Sequence, residues 1–203
     1  MVWLSRRADD TTAPRMTDPE FHSLLEAYRS FEKRVSELMQ GACAPFCRVC
    51  KTPCCRVEIC READESPFLQ AVQNVPSLEK TTFDKKSGYL GCTGCSLKVG
   101  RPPICHAFVC SLIITSQPSD MHRYTLECLG DLVTYIGAKV WKKRHLVETV
   151  THEHVMQADI GEFRTRLEKA EAALVVVKAF FLNAVSPDEE GMRVLGQIRK
   201  PAF

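Results

Sequence analysis

Residues 159–185 read DIGEFRTRLEKAEAALVVVKAFFLNAV, and this stretch decides the fold class. Phe163, Leu167, Leu174, Val177, Phe181 and Val185 recur at helical spacing, while Val175, Val176, Phe180 and Leu182 widen the apolar surface beyond one stripe. So wide an apolar face predicts a helix that is central to a bundle, or that meets a second copy of the chain through residues 163–185 to make a homo-oligomer. The most apolar part, residues 172–182, is interrupted by Lys178 and is well short of the ~20 residues that span a bilayer. No membrane partner is expected.

Outward from this helix, the same period recurs twice. Ser119 or Asp120, after Pro118, caps a helix with Leu129, Leu132, Val133, Ile136 and Val140 on one face. Near the start, Thr17 or Asp18 caps a helix with Pro19 and Glu20 in its first turn, followed by Phe21, Leu24, Leu25, Tyr28, Phe31, Val35 and Leu38, and Gly41 is read as its end. Lys139, Lys142, Lys143 and Arg144 read as a basic run late in the second of these helices, where cations suit the helix dipole.

Between residues 43 and 110 the pattern changes. Ten of the eleven cysteines fall here, with Pro45, Pro53, Gly88, Gly91, Gly94, Gly100, Pro102 and Pro103 as turn formers. Residues 66–80 read as a short helix broken at Pro76, a ligand-poor spacer between two cysteine groups. A chain of 203 residues can bury a core without a staple, so size alone does not call for so many thiols. The N-terminal ten residues hold only Val2, Trp3 and Leu4 as a contiguous apolar stretch, too short for a secretory signal. The reading is therefore cytoplasmic, where thiols stay reduced and point to metal or redox chemistry. Lys plus Arg is 27 against 25 for Asp plus Glu, so there is no general attraction to nucleic acid.

The first group is Cys47-x2-Cys50-x3-Cys54-Cys55; the second is Cys92-x2-Cys95, then Cys105-x4-Cys110. Two C-x2-C pairs far apart in sequence are what a tetrahedral thiolate site needs, since each short spacer lets both sulfurs reach one ion. The candidate ligands are Cys47, Cys50, Cys54, Cys55, Cys92, Cys95, Cys105 and Cys110, with Cys43, Cys60 and His106 in reserve. Adjacent Cys54 and Cys55 cannot easily converge on one ion, which suggests two metal centres or one ligand beside one core thiol. Arg48, Lys51, Arg56, Lys98 and Arg101 lie near the thiols and would offset the negative charge of a thiolate centre. Zinc and an iron–sulfur cluster are both open: Cys43, Cys47, Cys50 and Cys54 narrowly miss a ferredoxin spacing. The radical-enzyme spacing Cys43-x3-Cys47-x2-Cys50 is set aside because no strand–helix alternation follows. Cys128, beside Leu129, reads as a core thiol, and His152 and His154 diverge as solvated side chains.

The run ending in Cys54-Cys55 and the segment Cys95-Ser-Leu-Lys-Val-Gly-Arg101-Pro-Pro-Ile-Cys105-His-Ala-Phe108 resemble the CxxCxxCC (YkgJ-like) cysteine-cluster family. Three residues rather than two separate Cys50 from Cys54, Lys98 stands where an aromatic is common, and His106 replaces an arginine. The resemblance covers residues 47–110 and implies chelation of zinc or iron by about eight cysteines.

The expected fold class is mainly α: an irregular metal-stapled cysteine-rich region packed with long amphipathic helices. Residues 1–17 are expected as a flexible arm, 18–185 as a single domain (helix 18–41, metal region 43–110, helices 119–185) and 186–203 as a tail. Metal is expected to be needed for residues 43–110 to fold. The expected function is metal binding in a structural or binding role, with metal ions as partners; the alternative is an iron–sulfur enzyme performing electron transfer or methyl transfer. The resemblance is what admits an oxidoreductase or methylase. No Ser/His/Asp set, phosphate loop or carboxylate pair supports catalysis independently.

Overall fold

A computed structural model describes residues 16–47, 49–50, 55–74, 81–91 and 94–199. Its helices are α1 (Asp18–Cys47), α2 (Val57–Glu65), α3 (Pro67–Gln73), α4 (Ile104–Ala107), α5 (Ser111–Thr115), α6 (Asp120–Gly137), α7 (His152–Met156), α8 (Ile160–Asn183) and α9 (Glu189–Arg199), and the chain is mainly helical. Strands β1 (Leu90–Gly91) and β2 (Gly94–Cys95) pair antiparallel, Leu90 opposite Cys95.

Thr17 begins α1 with a capping box: its amide and hydroxyl donate to the Glu20 carboxylate at 2.9 and 2.8 Å, and the Glu20 amide donates back to the Thr17 hydroxyl at 3.4 Å. Met16 is already buried, its amide donating to the Met156 carbonyl, so the expected arm reduces to residues 1–15, which lie outside the described residues. The helix does not stop at Gly41 but runs to Cys47 through Pro45. Gly41 does not take up the left-handed backbone that would make a glycine end a helix. As a result Cys43 and Cys47 lie one turn apart on the same helix face.

The core lies where α6 meets α8, α1 and α9. Ser119 caps α6 by accepting from the His122 amide, and Asp159 caps α8 by accepting from the Glu162 amide at 2.9 Å. Leu129, Leu132, Val133 and Ile136 of α6 are fully buried, and so are Phe163, Leu174 and Val177 of α8. Ala184 ends α8 in the left-handed conformation, φ 55, with Pro187 soon after. Val185, expected on the buried face, is thereby beyond the helix and exposed, and within the helix Val175 and Leu182 are exposed too. No described helix is long and apolar enough to cross a membrane.

Three further expectations are corrected. Residues 189–199 of the expected tail form α9, whose Leu195 and Ile198 are buried and whose Arg199 bonds Glu127 at 2.9 Å and Asp131 at 2.8 Å; residues 200–203 lie outside the described residues. The basic run follows α6 rather than ending it: Lys142 and Lys143 have φ of 44 and 63 in a two-residue turn between Trp141 and Arg144. His152 and His154 are in ring contact with Phe21 and Trp141 instead of being merely solvated. Within 66–80, α3 buries Phe68, Leu69 and Val72 in the common core, and Pro76 lies outside the described residues.

Candidate functional site

Four of the cysteines are neighbours. Cys60 sits on α2, buried, while Cys55 precedes that helix and is exposed. Gly88 allows Cys60 its place: with φ +62 it closes the turn from Asp84, and a Cβ there would come within 2.7 Å of the Cys60 Cβ and 2.8 Å of its sulfur. Cys95, half-buried, ends β2, and Cys105 stands on α4. Residue 105 keeps contact with solvent, yet enough of the chain surrounds its sulfur that desolvation pushes the thiol up to about 12. Cys95, Cys60 and Cys55 add to that shift and Arg101 opposes it. The Cys95 thiol is raised as well, first by burial, against Arg101 and the Leu97 amide. Three segments distant in sequence thus share one electrostatic neighbourhood of Cys55, Cys60, Cys95, Cys105 and Arg101.

The segment between Cys95 and Cys105 is held from α1. Glu32, fully buried, accepts from the Gly100 amide at 2.7 Å and the Arg101 amide at 2.8 Å, and its Oε1 lies 3.2 Å from His106 Nε2. Gly100, φ +72, is fixed from the other side too, because the Gln73 amide donates to its carbonyl at 3.1 Å. The Arg101 guanidinium folds back to donate to the Leu97 carbonyl at 2.9 and 2.7 Å. His106, buried with its Nε2 committed to Glu32, serves as an anchor at this site. Gly130 of α6 approaches the backbone of α4 so closely that a Cβ would meet the His106 carbonyl at 2.8 Å.

The other candidates stand on other elements or outside the described residues. Cys43 and Cys47 occupy the last turns of α1, Cys50 follows, and Cys110 immediately precedes α5. Cys54, Cys92, Arg48 and Lys51 lie outside the described residues. Cys128 is fully buried in α6, hydrogen-bonded to the Tyr124 hydroxyl, with burial pushing its thiol up to about 12. Among the described residues no group of three or more His, Cys, Asp or Glu side chains is already arranged to hold a metal ion.

Cys60, a reserve ligand by spacing, lies in the group around Cys105, and Glu32 was passed over. Glu32 carried a signal. Glu32 falls at helical spacing among Tyr28, Phe31, Val35 and Ser36, the buried face of α1, and an acid on such a face must find donors. Cys60 lacks a close cysteine partner in sequence, and the Asp84–Gly88 turn is one distant segment that the fold brings to it.

No family profile, curated protein or solved structure matches this chain.

Proposed function

We propose that this protein binds a thiophilic metal, zinc or an iron–sulfur centre, through its cysteines, in a structural or binding role and in a reducing cytoplasmic setting. The observation that carries the reading is that Cys95, Cys60, Cys55 and Arg101, brought together from separate elements, all act electrostatically on the Cys105 thiol. The donor set fits such an ion chemically: it consists of soft thiols, partly withdrawn from water, with a cation to offset thiolate charge. Cys54 and Cys92, together with Cys43, Cys47, Cys50 and Cys110, remain candidates for the same centre or a second one. The likeness to the CxxCxxCC family rests on the motif residues alone and points the same way.

Thiols with raised proton affinity must release those protons to solvent when they bind an ion, so binding should strengthen as pH rises. Anaerobic purification, elemental analysis and an absorption spectrum test the proposal. A colourless protein with stoichiometric zinc, or a brown one with iron and sulfide, supports it. A protein that retains neither and takes up neither on anaerobic reconstitution overturns it.

A further inference from the structure

The metal reading leaves open what fixes the separation of the thiols, and this inference rests on that reading. Cys95 and Cys105 flank a segment whose course is set at two points by one side chain: the consecutive amides of Gly100 and Arg101 at one point and His106 at the other, all on Glu32. A buried carboxylate is costly unless its lone pairs are bonded. Here two successive N–H groups, with Gly100 in the left-handed conformation, form a small anion-binding concavity around it. Simple filling of the core would be met as well by an apolar side chain. A carboxylate is required only if the two amides must be gathered at one place. Gln73 and the Arg101 guanidinium brace the same loop, so contacts that involve no sulfur also hold its shape.

We propose that Glu32 is a positioning residue of the thiol site, setting the separation of Cys95 from Cys105 before any metal arrives. Glu32→Gln is the informative substitution: it keeps size and shape but turns one acceptor into an NH2 group facing an amide donor. The metal-free chain, under anaerobic reducing conditions, is titrated with Co2+ and then with Zn2+ in competition. The wild type is expected to develop thiolate-to-cobalt charge-transfer bands. Glu32→Gln is expected to bind about 10–100-fold more weakly, with altered ligand-field bands and an unchanged helical signal. Equal affinity and identical bands in the two proteins would overturn the proposal and leave the metal reading standing. A wild type without charge-transfer bands would remove the zinc form of the metal reading, and this inference with it. Should Glu32→Gln not fold, the metal-free wild type decides. Slow hydrogen exchange at the Gly100 and Arg101 amides supports positioning by Glu32, and unprotected exchange until Co2+ is added overturns it.

Discussion

His145 is held through both ring nitrogens: Nε2 donates to the Thr134 carbonyl at 3.0 Å, and Nδ1 accepts from the Val147 amide at 3.2 Å. Both bonds fit only the neutral ring. Desolvation, which the carbonyl of Thr134 and the charge of Glu148 only partly offset, lowers its pKa from 6.5 to about 4. Above pH 6.5 the ring is neutral in both folded and unfolded chains, and its full contribution is present. Between 6.5 and 4 the unfolded chain takes up the proton first, so stability falls as pH falls, by roughly 3 kcal/mol in total. Denaturant midpoints of wild type and His145→Gln across this window should converge on acidification. Parallel curves would show that His145 is not the source. Cys105 and Cys128 make a second residue-scale contrast, because burial pushes both thiols up to about 12 and their surroundings alone separate them. Cys105 faces other thiols, whereas Cys128 faces Tyr124 in the helical core. Cys105→Ser should lose metal and Cys128→Ser should keep it, and equal metal content in the two purified variants would refute the distinction. The thiol motif was legible in the sequence because spacing alone encodes it. The partners of Glu32 were not, since they lie 68, 69 and 74 positions away.

Among the elements, α8 shows most plainly what periodicity can and cannot say. Its start and its buried side chains Phe163, Leu174 and Val177 follow from the pattern, since an apolar stripe with an Asp cap has few alternatives. Its exposed strip does not, because which flank of a wide stripe is covered depends on where α6 and α9 pack. Leu174 and Val175 are neighbours in the chain, but the first is 1% exposed and the second 66%. Leu174→Asp should therefore cost several kcal/mol, and Val175→Asp within about 0.5 kcal/mol; similar melting temperatures for the two would contradict this packing. Light scattering on Val175→Asp also tests self-association through this helix: a mass below that of wild type is expected if the strip pairs two chains, and an equal mass excludes it. The α4–α6 contact makes a sharper demand. With backbone 2.8 Å from the Cβ position of Gly130, Gly130→Ala should destabilise by about 1–3 kcal/mol, read as a lowered denaturant midpoint. The short elements were invisible for the opposite reason to α8. In α2 and in the β1–β2 pair, too few residues repeat for a period to emerge, and Gly88 and Gly94 make their turns through positive φ.

For the whole molecule, the question is how much of the fold metal holds together. The packing of α6 against α1, α8 and α9 is carried by Phe31, Leu129, Leu132, Ile136, Phe163, Leu174 and Leu195, none of them a thiol and all at most 1% exposed. Each large side chain buried this way contributes about 1.5–3 kcal/mol, so these helices have their own reason to assemble. The cysteine region divides in two. Phe68, Leu69, Val72, Leu97 and Val99 enter the same core, and Glu32 and Gln73 pin the loop around Gly100. Cys47, Val49 and Cys50 stand outside it, Val49 being 76% exposed, so burial in the common core does not offset their ordering entropy. The expectation that all of residues 43–110 depends on metal thus narrows to the outer part. On adding a strong chelator to the metal-loaded protein, hydrogen exchange should quicken first around Cys50 and Cys55. Protection in α6 and α8 and most of the helical signal should persist. Simultaneous loss of protection in α6 and α8 would mean that metal holds the bundle itself, and unchanged exchange around Cys50 and Cys55 would mean that metal does not order this outer part at all.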